Sequence, residues 1–231
     1  DMTIHEDLTV TSVADLSALL KSSVVFRNCT LDGADFAEFD AEEMNFEKCT
    51  FKKADFSFVV CQSLRITNSN LENARFIKAD LQEAVFLNCV FTQADFRNAK
   101  LNLSRIAECD LSLCRVEGAN LFSVDASGSR FRGVDLTQAR LEAIKLDRAD
   151  LSMSSLRFKS FKEQKLIDVN FTEADLTGCD FTETEFDNCH LTDVTVSEET
   201  VFDGADLRGA HISGSQLTQA SLKGAIVSSA Q

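Results

Sequence analysis

Large apolar residues recur along this chain at every fifth position. In residues 174–191, "ADLTGCDFTETEFDNCHL", they are Leu176, Phe181, Phe186 and Leu191. A strand alternates every two residues and a helix every 3.6, so neither period explains five. The register opens with Phe26, Leu31, Phe36, Ala41, Phe46, Phe51, Phe56, Cys61, Ile66 and Leu71, and continues unbroken to Val196. One extra residue intervenes in "SEETVF", and the register resumes at Phe202, Leu207, Ile212, Leu217 and Leu222. Two residues before each large position the side chain is usually small, as at Ala34, Ala54, Ala74 and Ala94. Between the two stands a frequent Asp or Asn, whose short polar side chain suits a tight turn. Each unit therefore has one large inward residue, one small inward residue and three outward ones. Such units cannot bury their faces alone and must stack into a solenoid.

A second period sits on the first. Cys29, Cys49, Cys89, Cys109 and Cys189 share one phase of twenty. In the same phase, Leu31, Phe51, Leu71, Phe91, Leu111, Phe131, Leu151, Phe171 and Leu191 alternate Leu with Phe. Four units per coil, and hence a square cross-section, follow. About ten coils at roughly 4.8 Å each make a rod on the order of 50 Å long.

The units read "GADFA", "KADFS", "KADLQ", "QADFR", "RADLS", "EADLT" and "GADLR". They resemble the pentapeptide-repeat family over about residues 24–227. The resemblance implies an all-β fold, a right-handed quadrilateral parallel β-helix.

Residues 1–23 stand outside the repeat and 24–231 within it. In "TSVADLSALLKSS", Ser12 can cap a short helix whose Val13, Leu16, Leu19 and Leu20 have helical spacing, which predicts a lid on the first coil. The stretch "LRFKSFKEQKL" puts Lys159 and Gln164 in small inward slots. An unpartnered buried lysine is costly, so residues 157–165 are expected to bulge outward as a basic loop carrying Arg157, Lys159, Lys162 and Lys165. The repeat-like C-terminus shows no amphipathic cap. That predicts a last coil that pairs with another chain, as in a homodimer, or a chain that continues. Asp1 before Met2 fits a tag scar or a piece of a longer protein.

Composition narrows the chemistry. The 231 residues include 19 Phe but no Pro, Trp or Tyr, as copying of one unit would give. A net charge of −14 disfavours direct binding to nucleic acid or to an anionic membrane. No apolar run approaches the roughly 18 residues of a membrane span, and no signal peptide is evident. All eight cysteines occupy inward positions, where a thiol behaves as a small hydrophobe. Parallel columns do not converge on a metal, so no metal site and no cofactor are expected. Parallel Cβ atoms about 4.8 Å apart also exceed disulfide spacing. Reduced thiols predict a cytoplasmic setting. His5, His190 and His211 join no nucleophilic constellation, so no catalytic residue is assigned and no enzyme is expected.

The remaining candidate is the surface. On the side centred on Ala41, Cys61, Leu81 and their successors stand nine acids: Asp40, Glu42, Glu43, Asp80, Glu83, Glu142, Glu163, Asp180 and Glu183. Lys100, Arg140 and Lys162 oppose them, whereas the side of Phe26 is near balance. Within the family, the resemblance to Qnr-type members implies an acidic rod that mimics DNA and protects DNA gyrase or topoisomerase IV from inhibitors. The alternative is an interaction or scaffold module of a larger protein, such as a translocated bacterial effector.

Overall fold

A computed structural model describes residues 2–20, 23–41, 43–228 and 230–231. The chain is a nearly all-β parallel solenoid. Six short strands stack in order: β1 (Thr3–Glu6), β2 (Val24–Arg27), β3 (Glu43–Glu47), β4 (Ser63–Thr67), β5 (Val85–Leu87) and β6 (Arg105–Ala107). Farther along, β7 (Lys165–Ile167) pairs with β8 (Glu185–Asp187). The register is twenty residues: Phe26, Phe46, Ile66, Phe86 and Ile106 lie one above another. Isolated parallel bridges extend it, and nine of them climb from Thr30 to His211. Ladders starting at Thr30, Asp35, Asp40 and Asn45 give the four sides. Phe26 heads the first side, Leu31 the second, Phe36 the third and Ala41 the fourth. The extra residue after Val196 is absorbed within one turn: Asp180 pairs with Val201, and Val201 with Ser221.

The core consists of stacked inward side chains. Phe36, Phe56, Phe76 and Phe96 form one column with centroids 4.5, 4.9 and 4.8 Å apart and nearly parallel rings. Phe161, Phe181 and Phe202 form a second, at 5.4 and 5.1 Å. That second column belongs to the fourth side; beyond Phe96 the third side packs Val116, Leu136 and Leu156 instead. At the corners, Asp and Asn accept the backbone N–H two residues on, as Asp55 does from Ser57 and Asn70 from Glu72, both near 3 Å. These are the Asx turns that the repeat implied. The bend itself falls three residues after the Asp or Asn, in the left-handed region. Lys53, Phe58, Leu103 and Met153 occupy it with φ of 59°, 62°, 64° and 59°. L-residues adopt that conformation at a cost of about 1 kcal/mol or more, which stacking against the neighbouring coils must offset.

At the N-terminus, Ser12 caps α1 (Val13–Ser17), its hydroxyl accepting from Ala14 N at 3.3 Å. Leu16 is fully buried, and Leu19 and Leu20 pack on the core. The helix is short because the chain before it also joins the solenoid: β1 pairs Ile4 with Val25 and His5 with Phe26. No apolar residue at a five-residue spacing marks β1 in the sequence.

The expected basic loop is absent. Residues 157–165 complete ordinary turns on the twenty-residue register, Leu156 and Phe161 are buried, and Ser160 pairs with Asp180. The lysine that argued for a bulge has a partner: Lys159 Nζ donates to Ala139 O at 2.5 Å. Half-buried, it remains inside the rod's outline, and burial lowers its pKa.

All eight cysteines are free and buried. The column of Cys49, Cys89, Cys109 and Cys189, at the head of the second side, accounts for strands of the first. Most coils turn by an N–H to C=O bond three residues back, as Ala54 N to Phe51 O. Where the first side is extended, that bond is missing and the coil above supplies a side chain. Cys89 N donates to Cys109 Sγ at 3.5 Å, while Cys109 Sγ donates to Phe86 O at 3.5 Å. Ser129 does the same for Cys109 N and Ile106 O. Where Ala149 or Val169 follows, the coil below makes the tight turn instead. β8 stays extended although Ala210 follows it. Burial pushes the thiols of Cys49, Cys179 and Cys189 up to about 12, and that of Cys61 up to about 11. Native protein should therefore leave a charged thiol reagent unreacted over minutes at pH 8, and unfolded protein should react at eight sites. Fast native labelling of any column cysteine would contradict the packing.

Candidate protein-interaction surfaces

The fourth side places the predicted acids as two groups rather than one track. Asp40, Val60 and Asp80 form successive rungs, with Glu43 and Glu83 on the adjoining corner. Glu42 lies outside the described residues. The ladder then runs through Lys100 and Asn120 to Arg140. Arg140 ion-pairs with Glu142 at 3.2 Å and lies over the Phe122 ring at 4.6 Å. The acids return with Asp180, Glu163 and Glu183, where Glu163 N bonds Thr182 O one coil on. About four coils, near 20 Å, separate Glu83 from Glu163. Asp80 and Asp180 also hold their own corners through Gln82 and Thr182, so part of their charge is engaged locally.

The predicted basic residues are spread over three sides. Arg157 lies on the third, 5.8 Å from the Phe158 centroid. Lys162 is exposed on the fourth, and Lys165 sits in β7 on the first, opposite Glu185. Lys159 points inward between them.

Two surface features escaped the five-residue pattern. Phe58 and Phe158 are 48% and 58% exposed, at left-handed corner positions. The Phe158 ring covers Gly178, where a Cβ would approach it to 2.3 Å. Large apolar residues at an outward phase were visible in the sequence as the signal for these. The second feature is a stack of His190 on His211, centroids 4.5 Å apart and 12° from parallel. The one-residue insertion brings this pair into register.

Among the described residues, no group of three or more His, Cys, Asp or Glu can hold a metal ion. Among the described residues no helix is long and apolar enough to cross a membrane. Burial raises the thiol pKa values of Cys49, Cys61, Cys179 and Cys189, which holds these four protonated.

Pentapeptide repeats match residues 22–59, 69–106, 104–138, 127–157 and 160–193, and a second form of the same repeat matches 181–226. The chain belongs to the pentapeptide-repeat family. A search of curated proteins finds no match. Among solved structures, HetL from Nostoc sp. strain PCC 7120, a pentapeptide-repeat protein involved in regulating heterocyst differentiation, is 24% identical. That alignment covers 93% of this chain and 94% of HetL, with a TM-score of 0.65. The plasmid-mediated fluoroquinolone resistance protein QnrB1 is 17% identical over 98% of this chain and 91% of its own, with a TM-score of 0.40. A family member from the Arabidopsis thaliana thylakoid lumen is 22% identical over 48% of this chain and 66% of its own, with a TM-score of 0.31. At these identities the HetL likeness is one of fold.

Proposed function

We propose that this chain is a non-enzymatic protein-binding rod whose fourth side engages a basic surface of a protein partner. The observation that carries this reading is the uneven charge of the fourth side, nine acids against the three bases Lys100, Arg140 and Lys162 between Asp40 and Glu183. Asp40, Glu43, Asp80 and Glu83 form one contact patch, and Asp180, Glu163 and Glu183 the other. Glu142 contributes less, because Arg140 already holds it.

The specific partner to test is a type II topoisomerase, DNA gyrase or topoisomerase IV, whose DNA groove would accept an acidic rod. Duplex DNA carries one charge per roughly 1.7 Å of axis. Two patches with a neutral middle favour a partner with two basic contacts over one with a continuous groove. Supercoiling assays with and without a quinolone decide the case. Protection that weakens steeply with salt supports the topoisomerase reading. Reversing Glu43, Asp80 and Glu83 should then weaken binding about tenfold or more at low salt. Reversing Asp168, Glu185 and Asp187 on the first side should do less. Absence of topoisomerase binding at low salt retires that partner in favour of the scaffold-module reading.

A further inference from the structure

Of the 19 phenylalanines, all but two are buried or half-buried. The two exposed ones, Phe58 and Phe158, stand five coils apart on the corner between the third and fourth sides. Acids of the fourth side repeat with the same step. Asp80 and Glu83 follow Phe58 at the intervals at which Asp180 and Glu183 follow Phe158. The backbone repeats as well. Phe58 and Phe158 both have φ of 62°, and Glu83 and Glu183 have 62° and 55°. Asp80 and Asp180 are rungs paired with Val60 and Ser160. Between the two sets the Asp position holds Lys100, Asn120, Arg140 and Ser160, and no other coil places a Phe at that corner.

The fold does not require either ring. Asn98, Gly118 and Gln138 fill the same corner in other coils, so an aromatic left in water there is an exposed apolar feature without a packing role. Each ring leans toward the following coil, which carries the Asp. The Phe158 ring covers Gly178, and Lys78 Nζ lies 5.8 Å from the Phe58 centroid. Acids outnumber bases around both rings. Asp40, Glu43, Asp80 and Glu83 stand against Lys78 at the first, and Glu163, Asp180 and Glu183 against Arg157 and Lys162 at the second.

We propose that the fourth side carries two copies of one docking site, and that each takes the same kind of partner element, a basic segment with an apolar side chain at its centre. This rests on the acidic-side reading above and adds to it the anchor, the spacing and the number of contacts. Interfaces concentrate their energy in buried aromatic anchors within a polar rim. Here the ring is the anchor, and the carboxylates of the rim select a positively charged partner by charge complementarity. Five coils put the two sites about 24 Å apart. A translation along the rod relates them, so both face the same way. A partner that carries the basic element in tandem copies presents it twice in one direction and can engage both sites at once, whereas a two-fold pair presents it in opposite directions.

Titration calorimetry with a short amphipathic helix, leucines on one face and lysines on the other, tests both sites. Two peptides should bind per rod. Phe58→Ala or Phe158→Ala should leave one of them, and the double variant should weaken both at least about tenfold. Two such helices joined by a spacer that reaches about 24 Å should bind one per rod, at least about a hundredfold tighter. Either single variant should remove that gain, and a spacer of half the reach should not produce it. The variants should keep the far-ultraviolet spectrum of the rod, since both rings are exposed. One peptide per rod, or two with unchanged affinity in the double variant, would overturn the duplicated site. Equal affinity for the same helix with serine in place of leucine would overturn the apolar anchor. Those results leave the acidic-side reading standing. That reading fails instead if charge reversal of Asp80, Glu83, Asp180 and Glu183 leaves peptide binding unchanged.

Discussion

Raising the pH from 9 to 12 should unfold this protein cooperatively, well before its backbone is chemically damaged. Cys49, Cys179 and Cys189 titrate near 12 in the folded state, and Cys61 near 11, against an ordinary thiol value of 9.0. Below 9 both states keep the proton and the stabilisation is complete. Above it the unfolded chain releases protons that the folded one retains, so stability falls as pH rises toward the folded values. One pKa unit corresponds to about 1.4 kcal/mol, so a thiol shifted by about three units contributes about 4 kcal/mol. Three such groups and Cys61, shifted by about two units, are together of the order of the 5–15 kcal/mol net stability of a typical domain. Circular dichroism against pH should show a midpoint between about 10 and 11. The combined variant Cys49→Ala, Cys179→Ala, Cys189→Ala should move it upward, because alanine suits the same slots. An unchanged midpoint would mean that lysine deprotonation and general repulsion, not the thiols, drive the transition.

Replacing Phe76 by alanine should cost about 3–5 kcal/mol, the range for a large buried ring. Phe76 is fully buried, stacked between Phe56 at 4.9 Å and Phe96 at 4.8 Å, and met edge-on by Phe86 and Phe91. Its removal uncovers the facing sides of Phe56 and Phe96, and stacked pairs add to the area term. Tm should fall by about 10 °C, at roughly 2–4 °C per kcal/mol for a chain of this size. Phe58→Ala at an exposed corner should fall by no more than about 2 °C. Equal losses at the two positions would contradict the inward column.

How much was legible beforehand follows from where each residue points. The inward register was readable because burial leaves little choice: a solenoid interior admits one large and one small side chain per unit. Phe181 and Cys189 declare their places by phase alone. The same logic failed at Lys159. Its phase was read correctly as inward, but a bulge was inferred because a buried ammonium needs a partner, and the available partner was a carbonyl one coil below. β1 was missed for another reason. Its residues pair in register with β2, Ile4 and His5 over Val25 and Phe26, and its side-chain contacts, His5 stacked on Phe26 and Glu6 near Arg27, follow no five-residue period that would announce the pairing. The acidic side was found from sequence as a count. Its division into two patches needed the ladder, since the Arg140–Glu142 pair neutralises one rung.

The column of thiols and hydroxyls at the head of the second side has a further consequence, for how the rod is assembled. Whether residues 86–89 run straight or turn depends on Cys109, which has not yet emerged when those residues leave the ribosome. Each coil along this column is provisional until its successor arrives, and the successor's single atom decides its shape. Growth of the rod is then a relay in which information passes backward by one layer. Errors should be confined to the newest layer and corrected when the next one closes over it.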